Sequence, residues 1–199
     1  VGHLAGQKRP ERAVEVLDRL RSQGCFAHLV VAGTGPLRTD LEAQARRLGV
    51  DPAVTFLGQR DDIERVLGGV DLVLLTSEAE GMPGVAIEAL MAGCPMVAVR
   101  VGGVTDVIEH GVTGLVLDDD RPTAMAEAVA RLLADDESRA AMGRESRART
   151  DRFSASAAAA VYDERFREAL AGRFAGCSRG GPPFRRRCTP TPLGGWPTG

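Results

Sequence analysis

Five short apolar runs alternate with amphipathic stretches along this chain, and that alternation limits what it can fold into. Residues 28–32, 54–57, 71–76, 95–100 and 114–117 are rich in β-branched and aliphatic side chains. Around Val30, Val73 and Val97 the apolar residues are consecutive, as expected for parallel strands covered on both faces. Between the runs, Ala13, Val16, Leu17 and Leu20 share one helical face, and Leu37, Leu41, Ala45 and Leu48 make a similar stripe. Met125, Ala128, Val129, Leu132 and Leu133 form a third stripe, with Pro122 placed to start it. A last helix is expected over 154–170, through Ala158, Val161, Tyr162, Phe166 and Ala169, with Ser154 as its cap. Short loops joining strand to helix give right-handed βαβ units. The fold class is therefore α/β: a Rossmann-like open parallel sheet with helices on both faces.

In such sheets ligands bind beyond the carboxyl ends of the strands, so the segments that follow each run carry the functional information. At the start of the chain, Gly2-His3-Leu4-Ala5-Gly6-Gln7-Lys8 leads into a helix, and a lysine beside a helix amino terminus suits a phosphate. Val31-Ala32-Gly33-Thr34-Gly35-Pro36 is neither a dinucleotide fingerprint nor a P-loop. It reads as a tight structural turn, with Pro36 in the first turn of the next helix. After Phe56-Leu57, Gly58, Gln59 and Arg60 have main-chain groups able to read a base edge, and Asp61 or Asp62 is placed to cap the next helix. Arg100-Val101-Gly102-Gly103 presents backbone amides at a fourth strand end, where a plain turn and a ligand contact are equally open.

The segment Ser77-Glu78-Ala79-Glu80-Gly81-Met82-Pro83-Gly84-Val85-Ala86-Ile87-Glu88 carries the most chemistry. A helix beginning near Pro83 puts Glu80 in the preceding loop and Glu88 in the second turn. Two carboxylates then bracket a helix amino terminus. Carboxylates accept hydrogen bonds from vicinal hydroxyls, and helix amides stabilise a diphosphate. Gly81 and Gly84 leave room for close approach.

Composition excludes other classes. With 44% hydrophobic and 26% charged residues, the 199-residue chain has enough apolar material for a packed core. A net charge of −2 gives no footprint for nucleic acid. Cys25, Cys94, Cys177 and Cys188 form no C-x-x-C pair, so a zinc or redox site is not indicated, and Cys25 and Cys94 read as core residues in a reducing cytoplasm. Asp118-Asp119-Asp120 reads as the approach to the helix at Pro122 rather than as a metal motif. From Gly176 onward, 11 of 24 residues are Gly or Pro, with four arginines and no acids. Residues 1–172 are accordingly read as the folded domain and 173–199 as a disordered Gly/Pro/Arg-rich tail. The chain begins at Val1 in mid-pattern, and an upstream segment is expected.

Taken in order, V-G-x-L-x-x-Q-K, V-A-G-x-G-P, V-x-F-L-G, E-G-M-P-G-V-A-I-E-A, G-x-P-x-V-A and G-G-x-x-D-x-I-x-x-G-x-x-G-x-x-L resemble the C-terminal domain of GT-B glycosyltransferases. They are similar specifically to the family 4 retaining enzymes, the glycosyl transferases group 1. The resemblance implies a nucleoside diphosphate sugar as donor substrate, a hexose moved to an acceptor hydroxyl with retention, and no cofactor or metal. It implies that Glu88 binds the ribose hydroxyls and Glu80 contacts the transferring sugar. Amides of Met82, Pro83, Gly84 and Val85 and of neighbouring Gly81 would lie against sugar or phosphates. Lys8 would neutralise the diphosphate, and Gly58, Gln59 and Arg60 would face the base. The chain departs from the family at His3, where an arginine is usual; at Met82, where a phenylalanine is usual; and at Asp106, often a glutamate. An imidazole is a weaker partner for a diphosphate than a guanidinium.

The family also has a first strand central in the sheet and an N-terminal acceptor domain. This chain is expected to have the strand truncated and the acceptor domain missing. The unknown acceptor is a sugar, lipid or small molecule. The final helix would cross toward that domain with its apolar face open. Localisation is read as cytoplasmic, with the full-length enzyme peripheral at the inner face of the membrane as a variant. Two other readings stay open: another GT-B sugar-nucleotide enzyme such as a 2-epimerase, and a catalytically inert nucleotide-binding fragment.

Overall fold

The computed structural model describes residues 1–175. Of the tail expected over 173–199, residues 173–175 continue the last helix, and the rest, with Cys177 and Cys188, lies outside the described residues. The described chain falls into two units, Val1–Ser154 and one that begins at Ala155.

In the first unit, strands and helices alternate. After a single 3-10 turn at Gly6–Lys8 come α1 (Pro10–Ser22), β1 (Leu29–Ala32), α2 (Arg38–Leu48), β2 (Val54–Gly58), α3 (Ile63–Leu67) and β3 (Val73–Leu75). They are followed by α4 (Gly84–Ala92), β4 (Met96–Val99), α5 (Val104–Val107), β5 (Gly114–Leu117), α6 (Pro122–Leu133) and α7 (Asp136–Ala148). All strand pairs are parallel: β1 with β2, β3 with β4, and β4 with β5. The two expected prolines act differently. Pro122 occupies the first turn of α6, where its missing N–H costs nothing. Pro36, expected inside a first helical turn, instead lies two residues before α2, whose N-cap is Leu37.

Strand β4 explains why helices cover both faces. Its four residues are all buried, and alternate side chains point to opposite faces. Met96 and Ala98 pack with Leu67 of α3, Ala86, Ala89 and Leu90 of α4, and Val104 and Val107 of α5. Val97 and Val99 pack on the other side with Val16 and Leu20 of α1 and with Met125, Val129 and Leu132 of α6. Helix α1 also faces a third cluster, in which Val14 and Leu17 meet Leu41 and Ala45 of α2 beside β1 and β2.

The sheet is divided. β1–β2 form one ladder and β3–β4–β5 another. Between them lies a largely apolar opening of about 680 Å³, lined by Val30 and Val31 of β1 and by Val73 and Leu75 of β3. This opening explains why β1, expected to be covered on both faces, keeps three of its four residues only half-buried. The chain start lies in line with it: the Gly2 amide donates to the Ala32 carbonyl and the Leu4 amide to that of Thr34, both at 2.9 Å. Residues 2–4 thus extend alongside the end of β1 in parallel.

The second unit presents α8 (Ala155–Ala175), longer than the expected 154–170 helix. Val161, Tyr162, Phe166 and Leu170 on it are exposed. No helix among the described residues is long and apolar enough to cross a membrane.

Candidate functional site

A cavity of about 440 Å³ lies at the carboxyl ends of β1 and β2, within the size range of small-ligand sites. Val1, Gly2, His3 and Lys8 line it from the chain start, Ala32, Gly33 and Thr34 from the end of β1, and Gln59 and Arg60 from the end of β2. Gly84, Val85 and Glu88 close it from α4. Segments up to 87 residues apart in sequence thus surround one space. His3 and Lys8 line both openings. The larger is otherwise mostly aliphatic, whereas the smaller adds Gln59, Arg60 and Glu88, convergent polar groups of the kind a ligand site needs.

Lys8 ends the 3-10 turn just before α1. Its ammonium donates to both carboxylate oxygens of Glu80, at 2.7 and 3.0 Å. Lys8 is partly open while the Glu80 side chain is only 6% exposed. Glu80 does not itself line the cavity; it holds the cation that does. Its Oε1 also accepts a 2.5 Å hydrogen bond from the buried Ser77 hydroxyl. Glu88 is exposed on the second turn of α4, in the cavity wall.

Helix α4 begins at Gly84 with Pro83 as its N-cap, and no side chain caps its first amides. The first turn therefore faces the cavity with donors available to a ligand. Pro83 is buried, while Gly81, Met82 and Gly84 are exposed. A side-chain carbon added at Gly81 or Gly84 would meet nothing within 4 Å.

Several expected roles need correction. The amide of Gly103 is not presented to a ligand: it donates to the carbonyls of Glu80 and Gly81, at 3.3 and 2.9 Å. A carbon added at Gly102 would stand 1.6 Å from the Glu80 carbonyl, and one at Gly103 2.1 Å from that of Gly81. This glycine pair is a seat for the 80–81 loop. Asp62 is the N-cap of α3 but makes no side-chain cap bond. Arg60 takes its carboxylate instead, through bonds of 2.7 and 2.6 Å, and holds that carboxyl below its ordinary pKa. Gly33 and Gly35 fit the structural turn: a carbon at either would run into the backbone of Gly2 or Leu4. Cys94 is buried as expected, whereas Cys25 is only half-buried.

Asp118, Asp119 and Asp120 each pair with an arginine: Arg100, Arg121 and Arg12 respectively. Hydrogen bonds from Arg121 lower the Asp119 carboxyl to a pKa of about 2. Sequence reasoning missed the Lys8–Glu80 pair and the role of Ser77. The strand-end rule reaches Ser77, but only folding reveals that residues 72 apart in sequence meet.

A cation, an exposed carboxylate and an open helix amino terminus at the strand ends of a parallel α/β sheet fit the class that the sequence motifs resemble, the C-terminal domain of a GT-B glycosyltransferase. The comparisons agree. The sequence model of the glycosyl transferases group 1 matches residues 1–149, and the chain belongs to that family. It is 33% identical over 140 residues to the N-acetyl-alpha-D-glucosaminyl L-malate synthase of Bacillus anthracis, covering 70% of this chain and 36% of that protein. It is 36% identical over 142 residues to a D-inositol 3-phosphate glycosyltransferase of Corynebacterium kroppenstedtii, covering 70% of this chain and 32% of the relative. The chain thus spans about a third of the length of these curated relatives. Among solved structures, Anabaena HepE in complex with UDP superposes with a TM-score of 0.73 at 26% identity, over 86% of this chain and 48% of that one. WaaG, a glycosyltransferase of lipopolysaccharide biosynthesis, gives a TM-score of 0.68 at 26% identity, over 75% of this chain and 42% of that one.

Proposed function

We propose that this chain is the donor-binding half of a retaining hexosyltransferase that uses a nucleoside diphosphate sugar. The observation that carries the reading is the cavity wall in which Lys8, Glu88 and the open amino terminus of α4 come together. The UDP complex of the neighbouring HepE structure supports the same ligand class.

In this reading, Glu88 accepts hydrogen bonds from the ribose hydroxyls, and Gly58, Gln59 and Arg60 lie toward the base. The amides of Met82, Gly84 and Val85 hold the sugar and phosphates, Pro83 having no N–H to donate, and Gly81 and Gly84 leave room for them. The C1–O bond breaks through an oxocarbenium-like state, so the barrier falls mainly by stabilising charge that grows on the departing diphosphate. Lys8 and the α4 amides counter that charge, with His3 beside them, and Glu80, once Lys8 has turned from it to the diphosphate, orients the sugar. No metal or cofactor has a step in this scheme. The acceptor hydroxyl is assigned to a second domain, consistent with the share of the relatives that this chain spans.

The test is made in a polypeptide that carries both halves. Glu88→Ala raises the donor KM at least about tenfold, the scale of a lost charged hydrogen bond, and leaves the acceptor KM in place. An unchanged donor KM contradicts the assignment. Product analysis by NMR checks the chemistry: a new glycosidic bond with the donor's anomeric configuration is expected, whereas a free epimerised sugar nucleotide identifies an epimerase.

A further inference from the structure

Ser77 follows β3 and is 1% exposed, yet its hydroxyl is spent on the one carboxylate that also grips Lys8. We propose that Ser77 is a positioning residue that holds Glu80 in its sugar-binding orientation once the donor has drawn Lys8 away. The inference rests on the donor-site reading above and concerns how the site keeps its shape when loaded.

The geometry separates backbone from side-chain anchoring. The backbones on both sides of the pair are fixed without Ser77. Gly103 N–H holds the Glu80 and Gly81 carbonyls, Gln7 donates to the Ala79 carbonyl at 3.0 Å, and the Glu78 amide donates to the Gln7 carbonyl at 3.0 Å. The Thr76 hydroxyl donates to the Lys8 carbonyl at 2.9 Å. The Glu80 carboxylate itself is hydrogen-bonded by two side chains, Lys8 and Ser77.

A carboxylate has about four acceptor positions. Ser77 and Lys8 both use Oε1, and Lys8 uses one position on Oε2. When Lys8 turns to a diphosphate, Oε2 becomes free for sugar hydroxyls while Ser77 still fixes Oε1. Without the serine, a loaded site would leave the carboxylate free to rotate about its side-chain torsions. The bond to Ser77 is charge-assisted, the stronger kind, so its loss is felt where Glu80 works and not where Glu88 works.

The test is calorimetry on the whole chain with two probe pairs, UDP with UDP-glucose and GDP with GDP-mannose. In the pair that the wild type binds, Ser77→Ala weakens the sugar nucleotide at least about tenfold more than it weakens the diphosphate. Ser77→Thr, which keeps the hydroxyl, restores the ratio to within about twofold. In a Glu80→Gln background, Ser77→Ala adds little, because the two side chains act as one unit. Equal weakening of diphosphate and sugar nucleotide, or full additivity with Glu80→Gln, overturns the proposal and leaves a merely structural serine. Ser77→Gly, which also lacks a donor and adds no bulk, is read by the same ratio and replaces the alanine variant if that one fails to fold; a wild-type ratio there likewise overturns it. A wild type that binds none of the four probes sinks the donor-site reading itself, a separate result.

Discussion

Gly84 and Gly102 both stand where a strand gives way to a helix, but their surroundings separate two uses of glycine. Gly102 has φ +47° and lies against the Glu80 carbonyl, so a methyl there meets backbone that cannot move aside. Gly84 opens a helix and faces free space in the cavity wall. Gly102→Ala is therefore expected to cost about 3 kcal/mol, combining overpacking with left-handed strain. Gly84→Ala is expected to change stability by less than about 1 kcal/mol while crowding a bound diphosphate and weakening its binding. Urea unfolding and nucleotide titration of the two variants check this split; equal stability losses would contradict it. The sequence marks all of these residues alike as glycines after strands. Their distinct roles depend on which loop lies overhead, and that is decided by tertiary contact.

At the scale of elements, strands and long helices were legible because a wrong face would expose their apolar stripes. Each of the five runs contains its observed strand, shifted by at most two residues at either end apart from the extra Gly58 of β2. Helix α7 was not anticipated, and the reason is physical. Its sequence DESRAAMGRESRA has no continuous apolar stripe, and it buries Met142, Gly143 and Ser146. It packs by closeness instead: a carbon at Gly143 would stand 2.5 Å from the Gly93 carbonyl, and Arg147 donates to the Ala92 carbonyl at 2.7 Å, ending α4. An N-cap bond from the Ser138 amide to Asp135 starts the helix.

The α4–β4 junction also hides Cys94. Burial raises its thiol to a pKa of about 11 from an ordinary 9.0, with Asp71 adding to the effect. The thiolate is the reactive form. At pH 8 the native thiol should therefore alkylate about a hundredfold more slowly than in the urea-unfolded chain, on thiolate population alone. The native rate should climb about tenfold per pH unit up to the raised pKa. Peptide mapping after iodoacetamide reads this at Cys94, and equal native and unfolded rates would show that the junction is open.

For the molecule as a whole, two cavities compete as the functional site. The larger separates β1 from β3 and is lined mostly by aliphatic side chains; the smaller shares His3 and Lys8 with it and adds Gln59, Arg60 and Glu88. Size favours the first, and chemistry favours the second, since a charged, hydroxyl-rich ligand needs convergent polar partners. The cavity's residues were legible one by one from the strand-end rule, but their convergence required the fold. The most direct test is a crystal structure of this chain grown with saturating UDP. The ribose hydroxyls should lie on the Glu88 carboxylate and the diphosphate between Lys8 and the start of α4. UDP seated in the aliphatic opening, or bound anywhere with Glu88 untouched, would contradict the account.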